Sequence, residues 1–234
     1  MNSYITERYS RQIILREIGE DGQRKLRKSS VLIVGLGGLG SPVALYLSAA
    51  GIGRIGLCDN DIVNLSNLQR QILYSESSEG LPKAKSARKR LSELSSATVF
   101  DIWEEGLNQS NASHIISRYD IIVDCTDNHL IRYIIDDKCQ ELGKTWIYGA
   151  IEGFEGQVAT FCADGPRYSD LFPEREALSM LPSASGGVIG TLPGIIGSLQ
   201  AAEVIKIICG FGETLVGKLL LFNLKELTLN KIGL

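Results

Sequence analysis

The sequence predicts an α/β fold built on a doubly wound, mostly parallel sheet with antiparallel strands near the C-terminus. Two observations predict it. Between residues 29 and 162, short apolar runs that are typical of buried strands alternate with segments of helical periodicity. Hydrophobic residues also make up 44% of the 234 positions and charged residues 22%, which provides enough apolar side chains for a sizeable core. We therefore expect helices on both faces of the sheet.

The predicted elements follow one another in βαβ order after an N-terminal helical segment at residues 1–28. The predicted strands cover residues 30–34, 54–59, 98–103, 119–124, 146–151, 157–162, 218–223 and 226–231. The predicted helices cover residues 38–51, 82–95, 128–142 and 192–208. No internal repeat or linker separates these elements, so we expect a single domain over residues 1–234.

Residues 163–187 interrupt this alternating pattern. They are rich in glycine, proline and serine and show no sustained period, so we interpret them as a long crossover loop. Loops of this length are uncommon in compact domains and are usually functional when they occur.

Composition limits the classes of partner. Lys and Arg number 24 against 27 Asp and Glu, and the net charge of −3 gives no electrostatic support for binding nucleic acid or an anionic membrane. The N-terminus is polar, and no stretch approaches the roughly 18 continuous apolar residues of a membrane helix. We therefore expect no nucleic acid, no membrane and a cytoplasmic location.

The cysteines predict reduced thiols and no structural zinc. They are odd in number, widely spaced and include no CxxC pair. The five are Cys58, Cys125, Cys139, Cys162 and Cys209. Because no closely spaced pair of zinc ligands exists, we expect the protein to hold no zinc.

A glycine loop indicates a nucleotide site. Residues 35–40 read GLGGLG and satisfy GxGxxG, after a predicted strand and at the start of a helix, which is the context that a Rossmann-like site requires. Glycines there let the backbone approach an anion at the helix N-terminus. Asp59 ends the second strand, where a carboxylate accepts hydrogen bonds from ribose hydroxyls. The alternative is a tight turn that binds no ligand.

The glycine loop alone does not identify the nucleotide, because NAD, FAD and ATP all use such loops. A dehydrogenase needs a proton relay, but no Tyr-x-x-x-Lys pair is present, and His114 and His129 fit a surface helix and a helix N-terminus. A P-loop ATPase is unsupported because GxxxxGK[ST] is absent. Phosphate charge would then be neutralised by other basic residues, of which Arg70 and Lys83 are candidates.

Six segments in chain order carry a family resemblance. They are RYSRQ at 8–12, GLGGLGS at 35–41, DNDIVNLSNLQRQ at 59–71, GLPKA at 80–84, DCTDN at 124–128 and GVIG at 187–190. Together they resemble the ThiF, MoeB and HesA enzymes, which are related to the ubiquitin-activating enzymes. The segments run along nearly the whole chain, so their joint specificity is high although each alone is weak.

The resemblance implies an adenylation reaction. In this family ATP is joined to the C-terminal glycine carboxylate of a small ubiquitin-like protein, and pyrophosphate is released. Carboxylate attack on the α-phosphate builds charge on a phosphorane and on the leaving pyrophosphate, so catalysis comes chiefly from positioning and charge stabilisation. The implied partners are a sulfur carrier ending in Gly-Gly and a separate sulfur donor.

The resemblance also implies roles for single residues. The nucleotide-binding set is Gly35, Gly37, Gly38, Gly40, Asp59, Asp61, Asn67, Arg70, Gln71 and Lys83, and the catalytic set is Arg11, Arg70, Lys83 and Asp127. Gly38 would approach the phosphates and Asp59 would bind the ribose. Asp127 would hold the Mg²⁺ that bridges the phosphates. Arg11 would reach the phosphates of the neighbouring subunit, which makes a homodimer the expected assembly.

Each role has a structural alternative. Arg70 and Gln71 would merely cap a surface helix, and Asp127 would be the N-cap of the helix predicted at 128–142. The basic run that continues from Lys83 to position 90 would be a solvated helix face. The order and spacing of the whole set favour the nucleotide site over these alternatives.

The sequence departs from the family in two places. Many members hold zinc with two CxxC pairs, but Arg167 and Asp170 stand where the first pair would be, and the second pair is missing. Their opposite charges predict an ion pair, too weak to replace four zinc–sulfur bonds, so packing must hold this loop. Ser183 stands where relatives carry a cysteine. On this pattern we prefer a ThiS-type carrier of thiamine thiazole synthesis, with the molybdopterin carrier as the alternative.

Two other functions compete with adenylation. A nicotinamide-dependent oxidoreductase explains the glycine loop and Asp59 but leaves Arg11, Arg70 and Asp127 without a role. A non-catalytic binding module is suggested by the missing cysteines, but such a protein would not be expected to keep every candidate ATP contact.

Overall fold

A computed structural model describes residues 3–181 and 186–234, and these form a mixed sheet with helices on both faces. The strands are β1 (Ser30–Val34), β2 (Arg54–Cys58), β3 (Val99–Trp103), β4 (Ile121–Asp124), β5 (Thr145–Glu152), β6 (Glu155–Phe161), β7 (Lys218–Asn223) and β8 (Thr228–Gly233). The α-helices are α1 (Ser3–Arg8), α2 (Ser10–Ile13), α3 (Gly19–Lys28), α4 (Gly40–Ala50), α5 (Lys83–Leu94), α6 (Ala112–Ile116), α7 (His129–Glu141), α8 (Tyr168–Leu171), α9 (Arg175–Ser179) and α10 (Thr191–Cys209).

The eight described strands lie in the order β3-β2-β1-β4-β5-β6-β7-β8. The five strands from β3 to β5 pair in parallel, and the pairings from β5 through to β8 are antiparallel. The predicted fold class is therefore confirmed.

The strands read as continuous apolar runs because both faces of the parallel sheet are covered. In β1, Val31 and Ile33 point into a core shared with α4 and α10, whereas Leu32 and Val34 point into a second core shared with α6 and α7. All four side chains are almost completely buried. Full burial of such a side chain contributes roughly 1.5–3 kcal/mol, so the two cores together are the main source of stability.

The sheet has a switch point between β1 and β4. The chain leaves β1 toward β2 on one side and returns to β4 on the other, so the loops that follow β1 and β4 lie next to each other. Backbone hydrogen bonds join them to the neighbouring strand ends, from Gly35 N to Cys58 O at 2.9 Å and from Cys125 N to Val34 O at 2.8 Å. Ligands of open α/β sheets bind at such a crevice.

The last strand begins two residues later than the sequence predicts. The side chain of Asn223 accepts hydrogen bonds from Lys225 N at 3.0 Å and Glu226 N at 3.2 Å and so forms a tight turn at the end of β7. Leu227, with a φ of 53°, completes this turn, and pairing resumes at Thr228. Asn side chains commonly make such local turns, which periodicity does not reveal.

The segment predicted to be a loop without regular structure contains α8 and α9. The Asp170 carboxylate accepts from Arg167 N at 2.8 Å and caps α8, so the predicted ion pair between these two side chains is wrong. The Arg167 guanidinium instead contacts α7, at Asp136 (3.0 Å) and Asp137 (2.8 Å). Ser183 lies outside the described residues.

Helix α10 is by length and composition the one described helix that is apolar enough to cross a membrane, and half of it is buried inside the protein. It packs on α3, α4, β5 and β6. Its buried Glu203 accepts from Thr160 Oγ1 at 3.1 Å and from Leu215 N at 2.8 Å. These contacts are those of a core helix.

Candidate nucleotide site

Two glycines of the loop after β1 are required by close backbone packing. Gly35 has a φ of 88°, and a Cβ at this position would lie 2.8 Å from the carbonyl oxygen of Cys125 in the loop after β4. A Cβ at Gly40 would overlap the carbonyl oxygen of Gly35. The turn is therefore tight enough to place the N-terminus of α4 directly beyond the end of β1.

The other two loop glycines face side chains. A Cβ on Gly37 would lie 3.5 Å from Gln71 Nε2, and one on Gly38 would lie 3.1 Å from Pro193 Cβ and 3.6 Å from Arg70 Cγ. The loop is therefore lined on one side by the 70–71 segment and by the first turn of α10. The structure brings Gln71 and Arg70 to the glycine loop, which is the placement that the family resemblance implies, while their contact with phosphate stays a prediction.

Asp59 fixes the loop at the end of β2. Its carboxylate accepts hydrogen bonds from Leu36 N at 2.6 Å and from Asp61 N at 2.8 Å. Burial raises the pKa of Asp59, and the charge of Lys83 and the two backbone hydrogen bonds oppose this shift. Asp59 thus holds the glycine loop through Leu36 N. Its contact with a ribose stays a prediction.

Lys83 is the first residue of α5 and is almost completely buried. Its Nζ donates to Asp61 Oδ2 at 2.9 Å, and its backbone N donates to Asp61 O at 2.9 Å. Because Asp61 is itself hydrogen-bonded to Asp59, the three residues form one connected group. A buried lysine beside an exposed carboxylate can turn to a phosphate without moving the helix.

Asn67 and Gln71 shape the segment beside the glycine loop. Asn67 ends a 3₁₀ turn, and its Oδ1 accepts from Asn64 N at 3.2 Å. Gln71 is buried, and its Oε1 has no partner among the described residues. The alternative in which Gln71 only caps a surface helix is therefore wrong. Arg70 is partly exposed, and its Nη1 donates to Ser66 O at 3.3 Å.

Asp127 lies just past the carboxyl end of β4 with an exposed side chain. The N-cap of α7 is Asn128, whose side chain accepts from Ile131 N at 3.2 Å, so the prediction that Asp127 is the cap is wrong. A Cβ on Gly35 would lie 3.2 Å from Thr126 N, which places the Asp127 turn against the glycine loop. Asp127 is thus free to bind a cation.

Arg11 lies apart from this group in the single chain. It is exposed on α2, which packs on α1 and α3. Its neighbours in the RYSRQ segment anchor the helix. Tyr9 is buried against Gly51, which has a φ of 89°, and Gln12 Nε2 donates to the buried Gln23 Oε1 at 2.6 Å. Arg11 is held on an anchored surface helix, and no hydrogen bond or ion pair joins it to the glycine loop among the described residues.

The end of the basic run is a solvated helix face, as one of the alternatives predicts. The exposed members on α5 are Lys85, Arg88, Lys89 and Arg90. Lys85 makes an ion pair with Glu104 at 2.9 Å. Lys83, in contrast, is buried and joins the group of Asp59 and Asp61.

Sequence reasoning missed a buried network behind Asp127. Arg132 of α7 donates to Asp124 Oδ2 at 3.1 Å and to Thr126 O at 2.7 Å. Burial raises the pKa of Asp124, and the guanidinium of Arg132 opposes that shift. Burial and the charge of Arg132 lower the pKa of His129, so its ring is largely neutral at pH 7. The signal in the sequence is an arginine inside the apolar run HLIRYII.

The site fits a nucleotide with Mg²⁺. Mg²⁺ is usually held by one or two carboxylates together with substrate phosphates and water, and Asp127 offers such a carboxylate beside the glycine loop. Among residues 3–181 and 186–234, no cluster of three or more His, Cys, Asp or Glu side chains forms a metal site by itself. The absence of zinc stays a prediction.

Comparison with known proteins identifies the family. Residues 9–234 match the model of the ThiF family. The chain belongs to the ThiF family. A probable molybdopterin-synthase adenylyltransferase of Porphyra purpurea is 49% identical over 227 residues, which are 96% of this chain and 59% of that protein. The sulfur carrier protein adenylyltransferase of Thermus thermophilus is 43% identical over 97% of this chain and 86% of its own length.

Some relatives are considerably longer. The adenylyltransferase and sulfurtransferase MOCS3 of Xenopus laevis is 47% identical over 94% of this chain, but the match covers 49% of its length. The chain thus spans about half of that relative.

Among solved structures, PaaA has a TM-score of 0.85 at 22% identity over all of this chain and 74% of its own. MccB of E. coli, solved with ATP, has a TM-score of 0.82 at 24% identity, over all of this chain and 72% of its own. At these identities the two structures show a shared fold.

Proposed function

We propose that this protein is a Mg²⁺-dependent adenylyltransferase that activates the C-terminal glycine carboxylate of a ubiquitin-like sulfur carrier with ATP. The observation that carries the proposal is that Arg70 and Gln71 lie against the glycine loop, that Lys83 is joined to the loop through Asp61 and Asp59, and that the free carboxylate of Asp127 lies beside it. A dinucleotide-dependent oxidoreductase needs no such set of phosphate-neutralising groups. Family membership and the names of the relatives support the same reaction.

The chemistry follows from charge. The carrier carboxylate attacks the α-phosphorus of ATP, a P–O bond to the carrier forms, and the bond to the β-phosphate oxygen breaks to release pyrophosphate. Arg70 and Lys83 stabilise the charge that develops on the phosphate oxygens. Asp127 would hold Mg²⁺, and the ion would supply positive charge that offsets the charge of the phosphates. The glycine loop and the N-terminus of α4 orient the triphosphate.

The proposed assembly is a homodimer. Arg11 is exposed on an anchored helix and makes no ion pair among the described residues, so a second subunit is the recipient that we propose for its charge. An arginine that reaches across a two-fold interface would complete the phosphate site of its partner.

For the carrier we propose the class alone, which is a ubiquitin-like sulfur carrier. The preference for a ThiS-type carrier of thiamine synthesis stays a prediction, and the name of the Porphyra purpurea relative favours the molybdopterin carrier at least as well. We expect a separate donor to supply sulfur to the adenylated glycine. We also propose a cytoplasmic location, because all five cysteines are free thiols.

The test is ATP–pyrophosphate exchange with purified carriers of both types and with each carrier lacking its last glycine. We expect exchange that needs Mg²⁺ and an intact C-terminal glycine. Asp127→Ala is expected to remove roughly 10²-fold or more of the rate, the scale of one preorganised charge-stabilising group. Asp164→Ala removes another exposed carboxylate, from the crossover loop, and is expected to leave the rate unchanged. Exchange at the wild-type rate in Asp127→Ala would contradict the proposal.

A further inference from the structure

The turn that carries Asp127 is held from behind by a buried ion pair. Asp124 is fully buried, and its carboxylate accepts from Thr126 N at 3.0 Å, from Thr126 Oγ1 at 2.7 Å and from Arg132 Nε at 3.1 Å. Arg132 also donates to Thr126 O at 2.7 Å and to Gly149 O at 3.4 Å. Thr126 is therefore bound through its amide, its hydroxyl and its carbonyl.

The residues on both sides of Asp127 are thus fixed, whereas its own carboxylate is not. Thr126 is bound as described, and Asn128 caps α7 through Ile131 N. Asp127 between them is exposed and forms no hydrogen bond in the described part of the chain. The backbone on either side of Asp127 sets the direction of its carboxylate. Arg132 contacts this backbone at Thr126 O and also contacts the buried Asp124.

The crossover loop reaches this network through Tyr168. Tyr168 is the first residue of α8, is completely buried, and shares a hydrogen bond of 2.7 Å with His129 Nδ1 in the first turn of α7. The charge of Arg132 also acts on the Tyr168 hydroxyl. The Tyr168 ring packs at a tilt against Phe172, whose ring centroid is 4.8 Å away. The hydroxyl therefore joins a loop residue to His129 and Arg132 of α7.

We propose that Arg132 and Tyr168 are positioning residues for Asp127, so that the binding of Mg²⁺ with ATP depends on the contact that the Tyr168 hydroxyl of the crossover loop makes with the first turn of α7. This inference rests on the proposed function, because it takes Asp127 as the Mg²⁺ ligand. Tyr168, a residue of the crossover loop, can then strengthen or weaken Mg²⁺ binding without touching the nucleotide.

The test compares two tyrosines that join the same two elements. Tyr168→Phe removes the hydroxyl that meets His129 and keeps the ring. Tyr133→Phe, the matched control, removes a hydroxyl of α7 that donates to Phe172 O at 2.6 Å but does not contact the Asp127 turn. ATP affinity is measured by calorimetry with Mg²⁺ and with a chelator, which gives the enhancement of ATP binding by Mg²⁺ for each protein.

We expect Tyr168→Phe to lower that enhancement about three- to tenfold, the range produced by the loss of one hydrogen bond, with affinity in chelator unchanged. Tyr133→Phe is expected to keep the wild-type enhancement. In an Asp127→Asn background, Tyr168→Phe should have no further effect, because the residue through which it acts is gone. Arg132→Lys, which keeps the charge but cannot reach Asp124 and Thr126 together, should act like Tyr168→Phe.

Three results would overturn the inference: an unchanged enhancement in Tyr168→Phe, an equal loss in Tyr133→Phe, or an equal loss of affinity with and without Mg²⁺. Each of them leaves the proposed function standing if the wild-type protein exchanges pyrophosphate. A wild-type protein that shows neither exchange nor Mg²⁺-enhanced ATP binding contradicts the proposed function, and this inference falls with it.

Discussion

Replacing Arg167 and Arg175 one at a time measures how much each arginine contributes to holding the crossover loop on α7. Both guanidinium groups contact Asp137, at 2.8 Å and 2.7 Å, but only Arg167 also contacts Asp136, at 3.0 Å. The Asp136 side chain is 3% exposed, whereas that of Asp137 is 29% exposed. We compare Arg167→Met with Arg175→Met, since methionine keeps much of the apolar stem of either arginine.

The expected costs differ because of burial. Removing one partner of a fully buried ion pair costs about 3–5 kcal/mol. Arg167 is 34% exposed, and Asp136 keeps a hydrogen bond from Tyr168 N, so we expect Arg167→Met to lower the free energy of unfolding by about 2 kcal/mol. Arg175 is 44% exposed, and its one carboxylate partner is the partly exposed Asp137, while its guanidinium also lies 5.1 Å from the centre of the Tyr133 ring, so its loss should cost about 0–1 kcal/mol.

Urea denaturation followed by circular dichroism measures both values. With a slope near 2 kcal/mol per molar urea, Arg167→Met should lower the midpoint by about 1 M and Arg175→Met by less than half of that. Equal midpoints for the two variants, or a larger loss in Arg175→Met, would show that the contact with buried Asp136 does not anchor the loop.

Three further predictions follow from the same structure. The purified protein should carry no stoichiometric zinc by atomic absorption, and about one zinc per chain after dialysis would refute this. Mixing inactive Arg11→Ala subunits with inactive Asp127→Ala subunits should restore up to about a quarter of the wild-type activity, because half of the dimers are mixed and each mixed dimer has one intact site. If the subunits exchange and no activity returns, Arg11 does not act in trans. Burial acts to raise the pKa of Asp137, but Arg175 and Arg167 outweigh burial and hold this pKa below its ordinary value. The ionised carboxylate therefore stabilises the folded state above about pH 3.9. This stabilisation is lost as the pH falls through the pKa of Asp137 in the folded state. Asp137→Asn should therefore be less stable than the wild type at pH 7, and the difference should narrow below about pH 4; a constant difference across this range would argue against the pairing.

The parallel half of the fold and the glycine loop were predictable because their signals are local. Strand β1 is a run of five residues with both faces buried, and the glycines follow it directly, so periodicity and a short motif are sufficient. The position of Gln71 beside Gly37 was suggested only by the family resemblance. Its burial against the loop depends on the path of the chain between β2 and α5.

The anchoring of the crossover loop was not predictable, because it depends on pairs that are distant in sequence. Arg167 and Asp170 are three residues apart and of opposite charge, which favoured an ion pair between them. In the folded chain Asp170 is used as a helix cap, and the arginine pairs with carboxylates 30 and 31 residues away. Patterns in a single sequence report interactions between residues that are close along the chain. They do not indicate which face of a helix a distant loop will contact.

The contact between Tyr9 and Gly51 matters for the interpretation of natural variants. Gly51 ends α4 with a φ of 89°, and a Cβ there would lie 2.6 Å from the Tyr9 ring. Any other residue would therefore strain the backbone and push on the tyrosine that anchors α2, the helix of Arg11. A substitution at this helix end, 40 positions from Arg11, would be classified from the sequence as a harmless turn variant. Its effect would instead resemble the loss of Arg11, so genotype data for this protein should be interpreted with position 51 grouped with the RYSRQ segment.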